Sequence, residues 1–231
     1  PISLFRKNTP PTIDLISIGI VSEEGAEYYA ISKDFNLKEA WNRFDLKPDI
    51  NNGGLEKVYW IRKNVLKPIF NDLMDLYQKE YLRTLETENF IGTIMDQSFS
   101  YKLLKFLINR YGKTNKEIAF NVKNFCGDIN SRVRSFNKGD SFDPEFYAYY
   151  ADYDWVAFCW LFGKMMDLPT GYPMYCKDLK QDFDFFNGNF KKRLEMGSAG
   201  NWDKSIKDFK DMKDYPKQEN EHNALADARW N

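Results

Sequence analysis

The pattern of apolar positions near the start of the chain predicts a β-hairpin. Residues 13–21 (IDLISIGIV) form an almost continuous aliphatic run, which is typical of a strand covered on both faces. Residues 23–26 (EEGA) are polar and contain a glycine, and residues 27–32 (EYYAIS) are apolar again. Two such runs joined by a tight turn are expected to pair as antiparallel strands.

The middle of the chain has mainly helical periodicity. Thr114 is predicted to cap one helix, because Glu117 three residues later completes a capping box, and that helix continues through Phe125. The preceding segments predict a short helix at 37–44, a flexible loop at 48–54, an amphipathic helix at 55–66 and a long, mostly helical stretch at 68–111.

The last third of the chain predicts one more strand and further helices. Residues 144–150 (PEFYAYY) predict a strand, and the strongly apolar residues 155–162 (WVAFCWLF) predict a helix or strand that ends at Gly163. Residues 176–186 predict a helix, and the polar residues 188–217 predict an exposed irregular segment. This order favours an α/β fold in which helices cover the faces of a sheet.

Composition limits the classes of protein that fit this pattern. The length of 231 residues suits one domain with elaborations, or at most two small domains, and the hydrophobic content of 43% allows a large core. The net charge of −1 argues against a protein that coats long duplex DNA, although it is compatible with a local basic groove. The odd number of cysteines without metal-type spacing predicts reduced thiols. With no apolar run as long as a membrane span and no secretory signal, we expect a soluble cytoplasmic protein that does not bind membranes.

The only histidine of the chain lies five residues before an aspartate, within residues 221–229 (EHNALADAR). An imidazole such as that of His222 can accept a proton from water near neutral pH. A carboxylate such as that of Asp227 can hold a divalent cation, which would lower the pKa of the same water. The same residues also fit an ordinary helix start capped by Asn223, so the spacing alone leaves both interpretations open.

Asp154 is the second acidic candidate. It lies between the predicted strand at 144–150 and the apolar segment at 155–162. Carboxylates at strand ends reach the crevice where ligands bind in open sheets. A helix N-cap is the alternative interpretation of Asp154.

Four segments of the chain form an ordered set of motifs. They are TIDLISIGIVSEEGAEYYAIS (12–32), YWIRKNVLKP (59–68), FYAYYADYDWVAFCWLFG (146–163) and EHNALADAR (221–229). Taken together and in order, they resemble the DEDDh 3′→5′ exoribonucleases of the RNase T and oligoribonuclease superfamily, in particular the short mycobacterial type. We interpret the chain as a single exonuclease domain spanning 1–231, with insertions at about 70–112 and 188–217.

The resemblance implies an RNase H-like fold, with a mixed central sheet flanked by helices. It implies hydrolysis of single-stranded RNA, or of DNA, from the 3′ end with release of nucleoside 5′-monophosphates, and association into homodimers. It also implies two Mg²⁺ or Mn²⁺ ions, with Asp154 and Asp227 as metal ligands and His222 as general base. Because clustered carboxylates repel each other, activity is expected to depend strictly on the cation.

Three further residues are candidates for substrate binding. Trp60 and Arg62 lie where similar enzymes contact the terminal base and phosphate, and tryptophan stacks on any base while arginine suits phosphate. Phe5 could stack on a base beside the metal site. Core packing is the alternative for Trp60, and strand packing is the alternative for Phe5.

The chain departs from the family pattern at its first motif, D-x-E-F, which supplies two of the four acids. Residues 1–7 read PISLFRK, and no acid precedes Phe5. Either this sequence lacks acids that the active protein has or is an engineered inactive form, or the protein is a natural, catalytically inactive nuclease-fold protein that binds nucleic acid. The chain as written is expected to bind at most one metal ion weakly and to cut slowly or not at all.

Overall fold

The computed structural model describes residues 14–49, 53–88, 98–127, 143–195 and 220–230, together with residues 212, 215, 217 and 218. A π-helical turn (Arg62–Leu66) leads into the helix Lys67–Glu88, and a short 3-10 turn (Met165–Asp167) follows the helix Ala151–Phe162. The strands and helices are β1 (Ser17–Val21), β2 (Glu27–Ile31), α1 (Leu37–Asn42), β3 (Asp45–Pro48), β4 (Leu55–Val58), α2 (Lys67–Glu88), α3 (Tyr101–Tyr111), α4 (Asn115–Cys126), β5 (Tyr147–Ala148), α5 (Ala151–Phe162), β6 (Lys177–Asp178), α6 (Leu179–Glu195) and α7 (Ala224–Trp230).

The predicted hairpin is confirmed. Strands β1 and β2 pair antiparallel, with Gly19 opposite Tyr29. Gly25, at φ 82°, forms the turn, and the Ser22 amide donates to the Ala26 carbonyl oxygen at 2.8 Å. Strand β1 is covered less completely than its aliphatic run predicts, since Ile18 is its one buried residue.

The strands form small ladders. The β3–β4 pair is antiparallel, the β5–β6 pair is parallel, and an isolated parallel bridge joins Ser32 to Lys113. Within the described part of the chain there are three two-stranded sheets, without a continuous central one. The mixed α/β class is therefore confirmed, and the RNase H-like arrangement stays a prediction.

The β3–β4 hairpin replaces the predicted loop and the first half of the predicted helix at 55–66. Gly53 and Gly54 have φ values of 64° and 127°, and the Asp49 amide donates to the Gly54 carbonyl oxygen at 3.0 Å. Glycines at positive φ favour a hairpin turn, and this turn outweighs the helical spacing of the residues that follow it. Helical structure begins only at Trp60.

The hydrophobic core has two clusters that share the β1–β2 hairpin. Alternate residues of β2 join different clusters, Tyr29 and Ile31 the first and Tyr28 and Ala30 the second, as expected for a pleated strand. The first cluster contains Phe35, Leu66, Ile69, Phe70, Leu73, Met74, Leu103, Leu104, Leu107 and Ile108, and the second contains Ile18, Ile118, Val122, Phe158 and Tyr172. Residues 70–112 thus supply much of the first cluster, and their interpretation as an insertion stays a prediction.

The capping box at the start of α4 is confirmed. The Thr114 hydroxyl oxygen accepts from the Glu117 amide at 3.1 Å, and a Glu117 carboxylate oxygen accepts from the Thr114 amide at 2.7 Å. These two bonds satisfy amides that would otherwise lack partners at the helix start.

Replacement of Thr114 by alanine is expected to lower the free energy of unfolding by about 1 kcal/mol, because the cap oxygen is lost. Urea denaturation followed by circular dichroism measures this loss. Thr114→Ser keeps the oxygen and is expected to stay close to the original stability. Equal losses in the two variants would show that the methyl group, and not the cap, is responsible.

Later elements shift relative to the sequence-based expectations. The predicted strand at 144–150 is reduced to Tyr147–Ala148, because the two-residue β6 is its only partner among the described strands. The helix predicted at 176–186 begins at Leu179 and continues to Glu195, so the first part of the predicted irregular segment is helical. Residues 196–211 lie outside the described residues.

Cys126, Cys159 and Cys176 are free thiols, as predicted. In the described chain, no helix combines the length and hydropathy needed to cross a bilayer.

Candidate active site

Helix α7, which carries Asp227, lies directly against β1 at Gly19. A Cβ atom at residue 19 would lie 2.2 Å from the Ala224 carbonyl oxygen and 2.5 Å from the Leu225 Cα atom. Contacts this short with backbone atoms cannot be relieved by moving a flexible side chain. Glycine at position 19 is therefore required for the hairpin to position the helix.

The other end of α7 is tied down by polar and aromatic contacts. Arg229 and Glu27 of β2 form a two-bond ion pair, with nitrogen–oxygen distances of 2.6 and 2.7 Å. The Tyr215 hydroxyl donates to the Trp230 carbonyl oxygen at 3.1 Å, and the two rings meet edge to face. The ion pair is exposed, so its contribution to stability is expected to be small.

The turn before α7 holds His222 in a left-handed backbone conformation, with φ 72°. Asn223 caps the helix, since its side-chain oxygen accepts from the Leu225 and Ala226 amides at 3.1 Å each. The predicted cap is therefore present. His222, however, is not a freely exposed residue: its side chain is half-buried, and its ring lies 4.7 Å from that of Trp60 at 66°.

Asp227 is held through one of its two carboxylate oxygens. Its Oδ1 accepts from the His222 backbone amide at 3.2 Å and from Gln218 Nε2 at 2.8 Å. No hydrogen bond from another described residue reaches Oδ2. One oxygen thus orients the carboxylate while the other is available to a cation.

Asp154 lies in the first turn of α5 and is not its N-cap. The residue before the helix is Tyr150, at φ 57°, and the Ala151 amide donates to Asp178 Oδ2 at 2.9 Å. Asp178 is buried, and its Oδ1 also accepts from the Lys180 amide at 2.8 Å. The capping role that was the alternative for Asp154 thus belongs to Asp178, and the Asp154 carboxylate reaches solvent.

Asp154 and Asp227 interact electrostatically. Partial burial raises the pKa of Asp154, and the negative charge of Asp227 raises it further. The charge of Asp227 thus acts on Asp154, and the backbone amide of His222 donates to Asp227, so we take these three residues as a candidate active site.

The donor set of this site fits a divalent cation only partly. Mg²⁺ is commonly held by one or two carboxylates, with waters and substrate phosphates completing its shell. Among the described residues, no group of three or more His, Cys, Asp or Glu side chains is arranged to hold a metal ion. Asp154 and Asp227 could therefore offer at most two carboxylates to a cation, and the metal site stays a prediction.

The three candidates for substrate binding have different surroundings. Trp60 is 41% exposed and lies beside His222, so the structure brings it to the site. Arg62 donates from Nε to the Trp41 carbonyl oxygen at 2.7 Å, and its guanidinium carbon lies 4.0 Å from the centre of the Tyr59 ring. Its guanidinium group is therefore engaged within the protein. Phe5 lies outside the described residues, and the substrate-binding roles stay predictions.

Comparison with known proteins finds distant relatives of the chain. The chain is similar to 3′-5′ exoribonucleases. It is 25% identical over 170 residues to proteins of that name from two strains of Mycobacterium tuberculosis, CDC 1551 and H37Rv. The alignment covers 74% of this chain and 64% of each relative, so the chain spans less than two thirds of their length. No protein-family model matches the chain.

Sequence reasoning missed one residue near the site, Asp72 of α2. Its Oδ2 accepts from Asn223 Nδ2 at 2.8 Å. Burial raises the pKa of Asp72, and the charge of Asp75 adds to the effect. A carboxylate between Ile69 and Leu73, on the apolar side of an amphipathic helix, is the signal that could have identified it.

Proposed function

We propose that this protein is a cation-dependent 3′-5′ exonuclease that hydrolyses single-stranded RNA and releases nucleoside 5′-monophosphates. The observation that supports the proposal is the hydrogen bond from the His222 backbone amide to Asp227, together with the charge of Asp227 acting on Asp154. The names of its distant relatives support the same activity. The proposal includes an RNase H-like fold and a homodimer, both implied by the resemblance of the motifs, and a cytoplasmic location.

Each residue of the site has a chemical role in this proposal. His222 accepts a proton from the attacking water, the work for which imidazole is suited. Asp154 and Asp227 hold the cation, which when bound supplies positive charge against the phosphate and lowers the pKa of water. Trp60 offers the 3′-terminal base a surface for stacking, which is independent of base identity.

A catalytically inactive protein that binds nucleic acid is the second candidate. The observation that favours it is the small acidic set: among the described residues, Asp154 and Asp227 are joined by no third metal-binding side chain. Such a protein would retain the aromatic surface at Trp60 and bind single strands without cutting them.

The test is nucleotide release from a 5′-labelled single-stranded RNA, with an all-DNA strand of the same sequence in parallel. We expect a ladder that shortens from the 3′ end, requires Mn²⁺ or Mg²⁺ and stops on addition of EDTA. Asp154→Asn is expected to raise the Mn²⁺ concentration needed by at least about tenfold, since groups that only support metal ligands already contribute that much. Asp152→Asn, an exposed neighbour in the same first turn as Asp154, is the matched control.

The outcomes separate the candidates. Binding of the labelled strand without release at any cation concentration would establish the inactive protein. A DNA ladder with intact RNA would retain the exonuclease and change its substrate. The absence of both binding and release would overturn both proposals.

A further inference from the structure

Asp72 is fixed rigidly at the edge of the first core cluster. It lies in the 22-residue helix α2, and its neighbours Ile69 and Leu73 are each only 1% exposed. The backbone of Asp72 therefore cannot move without disturbing the core. Its half-buried carboxylate is a fixed point to which another segment can be attached.

The segment attached to it is the turn that carries His222. Both ends of the Asn223 side-chain amide are used: the oxygen accepts from the Leu225 and Ala226 amides, and the nitrogen donates to Asp72 at 2.8 Å. The Asn223 backbone amide also donates to the Asn220 carbonyl oxygen at 3.0 Å. Asn223 thus connects the start of α7 to α2 across 151 positions of sequence.

The turn needs such support because its backbone is strained. His222 and Asn220 both occupy the left-handed region, at φ 72° and 53°. Residues other than glycine persist in that region only when the surrounding contacts hold them there. Burial raises the pKa of Asp72, whereas the hydrogen bond from Asn223 lowers it and so favours the charged carboxylate that accepts this bond.

We infer that Asp72 is a positioning residue for His222, and that it acts through the amide of Asn223. Its effect on catalysis rests on the proposed function, while its effect on the conformation of His222 does not. The Trp60 ring contacts His222 from another element, so a change in the turn alters the surroundings of the imidazole. The rival role for Asp72 is stabilisation of the fold alone, which would leave His222 in place.

The chain contains a single histidine, so its imidazole gives one assignable set of NMR signals in the intact protein. In Asp72→Ala we expect these signals to move, because the turn relaxes and the imidazole leaves its position beside the Trp60 ring. Asp72→Asn keeps an oxygen that accepts from Asn223, and its signals are expected to stay near those of the original protein. Asp75→Ala removes an exposed negative charge one turn along the same helix and is the matched control.

Exchange of the amide and the carboxylate between positions 72 and 223 tests the inference without relying on Asp72→Ala. Asn223→Asp keeps the cap oxygens but replaces the donor with a second carboxylate, so it is expected to move the His222 signals and repel α2. Asp72→Asn combined with Asn223→Asp restores an amide-to-carboxylate bond in the opposite direction. We expect this double variant to recover the original signals.

The kinetic readout follows the same pattern. Misplacement of a reacting group lowers turnover by up to about 100-fold, so Asn223→Asp is expected to lower kcat by about 10- to 100-fold with little change in KM. The double variant is expected to regain most of that kcat. A purely structural role would lower the melting temperature without changing kcat below it.

Each outcome decides the inference. Unchanged histidine signals in folded Asn223→Asp, or no recovery in the double variant, would overturn it. Signals that move and recover support it even when Asp72→Ala does not fold. Moved and recovered signals in a protein that releases no nucleotide would keep the positioning role and reject the proposed exonuclease activity.

Discussion

Replacement of Gly19 by alanine is expected to displace helix α7 and to reduce stability and activity together. The added Cβ would lie 2.2 Å from the Ala224 carbonyl oxygen, so the helix or the strand must move. Overpacking of this kind typically costs about 1–3 kcal/mol. Because α7 carries Asp227 and follows His222, a shift of the helix also separates these residues from Asp154. Urea denaturation and nucleotide release measure the two effects.

Gly25→Ala separates this clash from a general intolerance of the hairpin to alanine. Gly25 differs from Gly19 in having a left-handed backbone, at φ 82°, and nothing lies within 4 Å of its added Cβ. Its replacement is expected to lower stability by about 1–2 kcal/mol through backbone strain alone. Nucleotide release by the folded protein should be retained in Gly25→Ala and reduced in Gly19→Ala. Equal activities in the two variants would show that α7 tolerates the displacement.

The elements that the sequence predicts well are those determined by neighbouring residues. The β1–β2 hairpin follows from two apolar runs and a glycine turn, and the start of α4 follows from Thr114 and Glu117 three residues apart. The cap at Asn223 is equally local. In each case the interacting groups lie within a few positions of one another, so the pattern of the sequence contains the whole interaction.

The features that the sequence does not predict depend on contacts between distant residues. Asp72 meets Asn223 across 151 positions, and Asp178 meets the Ala151 amide across 27. No spacing rule connects such pairs, because the fold and not the chain brings them together. The resemblance drew attention to Asp154, but its helix start is organised by Asp178, which the sequence analysis left aside.

Residues 48–58 show how one local signal can override another. The apolar positions after Leu55 have helical spacing, yet Gly53 and Gly54 direct the chain into a hairpin with β3. The helical signal applies only from Trp60 onward. The π-helical turn Arg62–Leu66 follows immediately, and such turns are frequent near functional sites. Its position beside Trp60 agrees with placing the candidate site at this end of α2.

Replacement of His222 by alanine is expected to lower the rate of nucleotide release by about 10²–10⁴-fold, the usual contribution of a general base. Stability should change little, because the imidazole is half-buried and Asp227 is held by the backbone amide of residue 222. Binding of the single-stranded RNA should be retained, because Trp60 is unchanged. Single-turnover release at saturating RNA measures the chemical step separately from binding.

Free imidazole provides the control for the role of His222 as a proton acceptor. Added to His222→Ala, it should restore part of the lost rate, because the removed ring leaves space beside Trp60. Glu221→Gln removes the exposed carboxylate 3.8 Å from His222 Nε2 and is expected to change the rate by less than about fivefold, since exposed pairs contribute little. Undiminished release by His222→Ala would mean that another group accepts the proton. A rate that falls without rescue would mean that His222 maintains the conformation of the site and does not accept the proton. It would do so through the contact of its ring with Trp60 and the bond from its backbone amide to Asp227.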